Sequence, residues 1–355
     1  MKFMSILTSL LSFLGCSGRG YTNQAVAEFE AECAKPEVAI IDVRTPEEYA
    51  EGHLPWASNV DWKSADFLQR IEAAYPAQTP LAIYCRSGRR SAEAAEALAR
   101  AGYTVCNLQG GYLAWTGAGK PTTTYAVETF CTRRGLPVAI TLIKHGTLAL
   151  GCKGITIHVD PVGGYGKPTD YETEFPKADV ILITHEHGDH LDKDAIAALS
   201  SSNTMMVTNA RCAELLKDAA SGGNAPGKIT VMANGDSATL PGDIRLDAVP
   251  AYNCTEGHTN FHPKGRDNGF VLTIDGLRIY IAGDTEDIPE MAELKDIDVA
   301  FLPVNQPYTM TVEQCVRVAE TIRPKVLIPY HFSQTDLSAL PGLLPGIDVR
   351  LREMQ

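Results

Sequence analysis

Three of the nine histidines in this 355-residue sequence lie within six residues of one another, at positions 185, 187 and 190, with Asp189 among them. Neutral imidazole is the commonest nitrogen ligand of metal ions in proteins, and a nearby carboxylate balances the charge of the ion. The cluster follows an apolar run over residues 180–184, which predicts a buried strand and thus a rigid base for a metal site. The spacing therefore predicts a metal centre on this turn.

Four more candidate ligands lie further along the chain. Asp284 and His331 each follow a short apolar run that predicts a strand, so both are expected at the same edge as the first turn. His258 and His262 lie between the first cluster and Asp284. The candidates thus come from separate segments that the fold must bring together.

A cysteine followed by arginines forms a second group. Residues 81–84 predict a strand, Cys85 follows it directly, and a helix is predicted from about Ser91. A loop that enters a helix points backbone N–H groups at one place, and with the basic side chains these would stabilise a thiolate and hold an anion such as a persulfide or thiosulfate. A buried structural thiol is the alternative. The other loop residues are Arg86, Ser87, Gly88, Arg89 and Arg90.

The segment that holds Cys85 alternates strand and helix patterns over residues 21–117, which predicts an α/β domain with a parallel sheet. Residues 118–123, rich in glycine, proline and threonine, lose this pattern and predict a linker. The predicted strands cover residues 38–41, 81–84 and 103–106, and the predicted helices cover residues 67–75 and 91–101.

Residues 124–355 have many strand patterns and few helices, which predicts two packed sheets flanked by helices. An Asp-Gly pair at 275–276 predicts a tight hairpin turn. The predicted strands cover residues 139–143, 148–150, 155–159, 180–184, 205–207, 228–232, 243–248, 269–274, 277–281 and 326–328, and the predicted helices cover residues 194–200 and 312–322.

Composition limits the classes of function. The 43 acidic and 31 basic residues give a net charge of −12, which argues against a nucleic-acid partner, because phosphate binding requires a basic surface. Beyond the N-terminus no apolar run reaches the roughly 18 residues of a spanning helix, which excludes a polytopic membrane protein. The nine cysteines include no CxxC pair, so neither a disulfide framework nor a thiolate metal cluster is expected.

The N-terminal 20 residues predict an export segment. One lysine precedes an apolar stretch that ends in Leu14-Gly15-Cys16, which is similar to a bacterial lipoprotein signal in which Cys16 is lipidated. Export to the periplasm, or a lipid anchor at a membrane, would follow. The alternative is a retained amphipathic helix in a cytoplasmic protein, because the apolar residues also fall on one helical face.

Three motifs together resemble a single-domain rhodanese over residues 21–117. They are residues 42–55 (DVRTPEEYAEGHLP), the loop 85–90 (CRSGRR) and residues 108–115 (LQGGYLAW). The resemblance implies that Cys85 accepts a sulfane sulfur as a persulfide and passes it to a thiol or to cyanide, while the loop binds the anionic donor. Asp42 and Arg44 are expected to hold the sheet and loop together, and His53 to be structural.

The pattern His-x-His-x-Asp-His, with Gly-Asp-Thr at 283–285 and Tyr-His at 330–331, resembles the metallo-β-lactamase superfamily over residues 124–355. That family's fold is an αββα sandwich. The stretches 189–192 (DHLD) and 261–265 (FHPKG) are similar to the branch that contains ascorbate-6-phosphate lactonase-like hydrolases.

This resemblance implies two divalent metal ions, zinc or alternatively manganese, with a bridging hydroxide as the nucleophile. Asp189 would also steer or protonate the reacting groups. By the same resemblance His185, His187 and His262 would bind one metal, Asp189, His190 and His331 the other, and Asp284 would bridge them.

Several neighbouring residues have two interpretations. His258 is the alternative to His262 as the third ligand, because Gly257-His258 is similar to another version of the superfamily motif. Asp160 is a candidate for orienting a ligand imidazole. His145 either supports a ligand in the same way or simply packs. Tyr308 and Thr309 either line a substrate pocket or belong to a polar surface loop.

Three functions are compatible with these motifs. The favoured one is a metal-dependent hydrolase of a small molecule fused to a sulfurtransferase, which needs a sulfane-sulfur donor and a thiol acceptor. The second is a persulfide dioxygenase with one iron ion, fed by the rhodanese part. The third is a hydrolase carrying a sulfur-sensing module. Phosphodiesters, lactones, thioesters and phosphorylated sugars are all compatible substrates.

Overall fold

A computed structural model describes residues 20–217 and 226–354. The predicted export segment and Cys16 lie outside the described residues, apart from residue 20. Within those ranges no helix combines the length and the apolar character needed to cross a membrane.

The N-terminal domain is a parallel five-stranded sheet with helices on both faces, as predicted. Its central strand is buried along its whole length, because helices cover both faces of the sheet. The strands are β1 Thr22–Gln24, β2 Ala39–Asp42, β3 Ser58–Asn59, β4 Leu81–Tyr84 and β5 Val105–Leu108, in the order β1-β5-β4-β2-β3, and the helices are α1 Val26–Cys33, α2 Pro46–Ala50, α3 Phe67–Ala74, α4 Arg89–Arg100 and α5 Gly111–Gly117.

One strand of this domain begins later than predicted. The sequence predicted a strand from Tyr103, whereas β5 begins at Val105. The Tyr103 hydroxyl donates a hydrogen bond of 2.7 Å to the Tyr75 carbonyl at the end of α3. The buried Tyr103 side chain is thus held against the end of α3 before the chain enters the sheet.

The first sheet of the C-terminal domain begins as an antiparallel meander and continues as parallel strands. One of these parallel strands, over residues 180–182, ends just before the turn that carries His185. The strands are β6 Val127–Cys131, β7 Pro137–Lys144, β8 Thr147–Cys152, β9 Ile155–Val159, β10 Val180–Leu182, β11 Met205–Thr208 and β12 Lys228–Val231, and the helices are α6 Tyr171–Glu174, α7 Lys193–Leu199 and α8 Ala210–Leu215.

The second sheet packs on the first, and apolar side chains from both sheets form one core cluster between them. A second cluster lies between this sheet and α9. The layered architecture confirms the predicted sandwich. The strands are β13 Ser237–Leu240, β14 Ile244–Ala251, β15 Asp267–Ile274, β16 Leu277–Ile281, β17 Val299–Pro303, β18 Val326–Tyr330 and β19 Asp348–Val349, the helices are α9 Val312–Ile322 and α10 Leu340–Leu343, and short 3-10 turns cover Pro241–Asp243 and Pro289–Glu293.

The two domains are joined by buried polar contacts as well as by the chain itself. His53 and Thr123 exchange two backbone hydrogen bonds of 2.8 Å. The Tyr49 hydroxyl accepts a hydrogen bond from the Val127 amide and donates one to the Ala57 carbonyl. Since satisfied buried polar groups fix geometry, these contacts hold the N-terminal domain against β6.

His158 lies in β9 within the core of the C-terminal domain, where neither ring nitrogen has a hydrogen-bond partner. Its ring meets Phe175 and Tyr171 nearly edge-on, with centroids 5.2 and 5.9 Å away. Burial lowers the pKa of His158 to about 3, because the charged form would lose its hydration. This imidazole is therefore a structural group.

We expect the free energy of unfolding of the His158→Leu variant to fall less than that of the wild type when the pH is lowered. The folded-state pKa lies below the unfolded value near 6.5, so the unfolded chain takes up the proton first as the pH falls. Between pH 7 and 5 the free energy of unfolding of the wild type should therefore fall by about 2 kcal/mol more than that of the variant. Urea unfolding at both pH values measures this difference, and equal falls would contradict the prediction.

Candidate functional site

The predicted metal ligands come together from four segments. His185 and His190, on the turn after β10, are fully buried, whereas His187 and Asp189 on the same turn are partly exposed. The other three ligand residues are buried as well: Asp284 follows β16, His331 follows β18, and His262 lies on the loop between β14 and β15. Because the ends of these elements meet at one edge of the sandwich, side chains far apart in sequence become neighbours.

The Asp284 carboxylate lies at the centre of the cluster. Its Oδ2 atom is 3.2 Å from His331 Nε2, 3.4 Å from His262 Nε2 and 3.8 Å from His185 Nε2. Its Oδ1 atom is 3.4 Å from His190 Nε2. One carboxylate therefore faces four imidazoles through both of its oxygens.

The possible ligand atoms fall into overlapping groups whose members lie within 4.8 Å of one another. His185 belongs to two of these groups and His190 to two, so the groups form one continuous site. The groups are His185, His187 and His262; His145, Asp189, His190 and His331; and His185, His190 and Asp284.

Several buried atoms of this cluster have no hydrogen-bond partner. A buried polar atom without a partner costs free energy, so it needs an explanation. Metal coordination would satisfy the four atoms that face the centre of the cluster, and neutral imidazole with carboxylate is a donor set that zinc and manganese accept. The residues present therefore fit divalent metal ions. The four inward-facing unpartnered atoms are His190 Nε2, His262 Nε2, Asp284 Oδ1 and His331 Nε2, and His331 Nδ1 has no partner either.

The opposite nitrogens of three imidazoles are held by neighbouring groups. Asp160 Oδ2 is 2.8 Å from His190 Nδ1, and the Asp160 carboxylate also accepts hydrogen bonds from the Thr184 amide and hydroxyl. Asp267 Oδ2 is 3.1 Å from His262 Nδ1. The Thr184 hydroxyl is 2.9 Å from His185 Nδ1. Contacts of this kind fix the ring orientation and leave Nε2 free for a metal.

Opposite charges within the cluster shift each other's pKa so that the ionised forms are favoured. Burial alone would raise the pKa of Asp284, but His331 and His190 outweigh it, so the net shift is well below the usual range. Burial alone would lower the pKa of His331, but the Asp284 and Asp189 carboxylates raise it to about 10. The site is therefore built to hold its carboxylates ionised.

His145 belongs to this cluster. Simple packing, one of the two roles considered for it, therefore does not account for its contacts. Its Nε2 is 3.1 Å from Asp189 Oδ2, and its ring lies 3.6 Å from the His331 ring. A side chain at the next residue, Gly146, would place its Cβ 2.6 Å from the His190 ring. This turn therefore approaches the ligands so closely that only glycine fits beside His145.

The two alternative histidines have different surroundings. His262 is in the cluster, whereas His258 Nδ1 is 3.1 Å from Glu286 Oε1 and belongs to none of the groups. A backbone hydrogen bond of 2.9 Å from the Asn253 amide to the His262 carbonyl folds the loop back over the site. The geometry therefore favours His262 over His258 as the third ligand.

Of the two residues suggested for a substrate pocket, one is exposed and one is buried. Tyr308 is exposed, whereas the buried Thr309 hydroxyl accepts a hydrogen bond of 2.8 Å from the Asn305 amide. Thr309 therefore shapes its own loop, and only Tyr308 of this pair can reach a substrate.

The cysteine loop has the predicted strand–loop–helix form. Cys85 directly follows β4 and is 1% exposed, and the Ser91 hydroxyl lies 3.4 Å from its sulfur. Gly111, in the third rhodanese motif, packs against the loop so tightly that a side chain there would collide with the Cys85 carbonyl. The second and third motifs therefore form one structural unit around the thiol.

The arginines that follow Cys85 have different environments: Arg86 lies in the loop, whereas Arg89 and Arg90 form the start of α4, two residues before the predicted helix start near Ser91. Arg86 and Arg89 are exposed, as is Ser87. Arg90 makes two hydrogen bonds of 2.7 Å to Glu48 and lowers the pKa of that carboxyl to about 2. Arg90 is thus ion-paired with Glu48, and Arg86 and Arg89 are the exposed cations next to Cys85.

Asp42 and Arg44 form a buried ion pair of 2.6 Å, and Arg44 also donates a hydrogen bond of 2.6 Å to the Gly52 carbonyl. The Arg44 guanidinium lies 4.2 Å from the centre of the Tyr112 ring in α5. The pair therefore connects β2 to the segments beside the cysteine loop. His53 is fully buried with Nδ1 3.0 Å from the Tyr49 carbonyl, consistent with a structural position.

Comparison with known families gives two matches in separate parts of the chain. A family model described as a beta-lactamase superfamily domain matches residues 139–331, and a rhodanese-like domain model matches residues 25–118. The two matches correspond to the two parts of the chain that carry the histidine cluster and the cysteine loop.

Several relatives match the C-terminal part. A UPF0173 metal-dependent hydrolase from Pelotomaculum thermopropionicum is 32% identical over 201 residues, which cover 55% of this chain and 84% of the relative. Another, from Archaeoglobus fulgidus, is 30% identical over 200 residues, covering 55% and 83%.

Two solved structures are also similar to this chain over about the same length. A candidate metal-dependent hydrolase from Parabacteroides distasonis is 52% identical with a TM-score of 0.60, and the match covers 65% of this chain and all of that one. Igni18, a metallo hydrolase from Ignicoccus hospitalis, shares the fold at 24% identity with a TM-score of 0.51, covering 61% and 95%.

Proposed function

Because this chain belongs to the beta-lactamase superfamily of metal-dependent hydrolases and carries a rhodanese-like domain, we propose that its C-terminal domain hydrolyses a small molecule at a two-metal centre. The observation that carries this proposal is the Asp284 carboxylate, which faces imidazoles on both sides. In the proposed arrangement His185, His187 and His262 would hold one ion, Asp189, His190 and His331 would hold the other, and Asp284 would be shared by both.

Two zinc ions, or alternatively manganese ions, would supply a hydroxide nucleophile at neutral pH and polarise the scissile group. The chain's own residues hold the ligands in place. Asp160 and Asp267 orient two of the imidazoles, and His145 orients the Asp189 carboxylate. Burial raises the pKa of Asp189, but His145 and His331 outweigh this and lower it below the usual range. Asp189 is thus an ionised carboxylate on the partly exposed side, where it can orient the attacking group.

We propose that the N-terminal domain carries sulfur on Cys85. The Cys85 thiolate would attack the outer sulfur of thiosulfate, the S–S bond would break, and sulfite would leave with the bonding electron pair. An acceptor thiolate would then attack the outer sulfur of the persulfide and release Cys85 as thiolate. The exposed Arg86 and Arg89 would attract the anionic donor.

Metal analysis of the purified full-length chain, followed by a panel of phosphodiesters, lactones, thioesters and phosphorylated sugars, tests the hydrolase proposal. We expect about two zinc or manganese ions per chain, together with hydrolysis of at least one class. One iron ion per chain, with sulfite formed from glutathione persulfide and oxygen, would overturn it in favour of a dioxygenase.

A further inference from the structure

Two exposed tyrosines lie next to the proposed metal site. Tyr165 is 42% exposed and Tyr308 is 46% exposed, and in the described ranges they are the two aromatic residues among the exposed large apolar side chains. Exposed aromatic rings beside a polar centre are typical of ligand-binding surfaces, because a ring offers a large flat contact area with little conformational entropy to lose.

Tyr165 lies on the side of the cluster that contains Asp189. Its ring centroid is 4.4 Å from that of His145, whose ring is in turn 3.6 Å from the His331 ring. Burial raises the pKa of Tyr165, and the charges of Asp189 and Asp284 and the phenol of Tyr308 raise it further. The ring of Tyr165 therefore packs against the side of the cluster formed by His145 and His331.

Tyr308 lies on the side that contains His262. Its ring centroid is 5.0 Å from that of Phe261, the residue before His262, and its carbonyl accepts a hydrogen bond of 2.8 Å from the Asn253 side chain. The Asn253 amide in turn binds the His262 carbonyl. The loop that places His262 thus also places Tyr308.

The tyrosines therefore flank the cluster, one next to each set of proposed ligands. We propose that Tyr165 and Tyr308 together bind a flat, largely apolar group, such as an aromatic ring or nucleobase, carried by the substrate next to its scissile bond. This inference rests on the proposed hydrolase function and narrows its substrate class. Both are binding residues, which act on affinity rather than on the bond-breaking step.

Two basic side chains of the loop that carries His262 form ion pairs within the protein. Arg266 forms ion pairs with Asp267 and with Glu186, and Lys264 is paired with Glu290 at 2.7 Å. These cations are engaged within the protein, so the tyrosines are the available contact groups at this edge.

Calorimetric binding of phenylphosphonate and methylphosphonate to the metal-loaded full-length chain tests the inference. The two probes carry the same anionic head, so their difference reports the contact with the ring. We expect phenylphosphonate to bind about three- to tenfold more tightly. Tyr165→Ala and Tyr308→Ala should each remove much of this preference without changing methylphosphonate affinity or metal content, whereas Tyr165→Phe and Tyr308→Phe should keep it.

Leu343→Ala, which truncates an equally exposed side chain in α10, is the matched control and should keep the preference. Equal affinity for the two probes in a chain that carries its metals, or an unchanged preference in both alanine variants, would overturn the tyrosine inference and leave the hydrolase proposal standing. A chain that binds no metal would overturn both.

Discussion

Replacing His262 by alanine is expected to leave about one metal ion per chain instead of two and to lower hydrolysis by about 100- to 1,000-fold. His262 is fully buried, and its Nε2 atom has no partner other than the centre of the cluster, where it lies 3.4 Å from Asp284. Its removal would take a ligand from one ion and leave the Asp284 carboxylate with one neighbour fewer. Metal content by mass spectrometry and turnover of a substrate found by the panel are the two measurements.

His258→Ala is the matched control for this experiment, because it removes an imidazole from the same loop. His258 is paired with Glu286 outside the cluster, so metal content and turnover should stay within about twofold of the wild type. If instead His258→Ala loses the metal and His262→Ala retains it, the assignment of the third ligand is wrong.

The second large effect is expected at the cysteine. Cys85→Ser should abolish sulfur transfer from thiosulfate to cyanide, by about 1,000-fold or more, because a serine hydroxyl cannot form a persulfide. Hydrolysis and metal content should not change, since the two sites use separate residues and separate chemistry. Thiocyanate formation and the hydrolysis assay, measured on the same preparation, test both statements.

Cys33→Ser provides a matched control in the same domain, since Cys33 is half-buried at the end of α1, away from the loop. This variant should retain sulfur transfer. A folded Cys85→Ser protein that loses both activities would show that the sites depend on each other. A wild-type chain that transfers no sulfur would favour a sensing role for the domain.

Local patterns predicted the parts of the site that are contiguous in sequence. The turn from His185 to His190 and the loop from Cys85 to Arg90 each follow a buried apolar strand, so both composition and position identified them. Asp284 and His331 were also recognisable, because each directly follows a strand of the second sheet. Functional residues are concentrated at strand ends, which is why their position in the sequence indicated these candidates.

Residues that act through tertiary contacts were harder to find. Asp267 holds His262 from five residues away, and Gly146 leaves room for the His190 ring, but neither has a local pattern that indicates its contact. The choice between His258 and His262 depended on how the loop folds back through Asn253. Strand β17 was not predicted, although all of its residues are buried; it ends in a proline, which is uncommon within a central strand.

The contacts between the domains have a consequence for cooperativity. Since Tyr49 and His53 form hydrogen bonds with backbone groups of residues 127 and 123, the N-terminal domain cannot separate from β6 without breaking these partly buried hydrogen bonds. Free energy gained when metal binds the native C-terminal domain would then stabilise its neighbour as well, by mass action. Bound metal would thereby raise the free energy of unfolding of the rhodanese-like domain as well, although the proposed ligands all lie in the C-terminal domain.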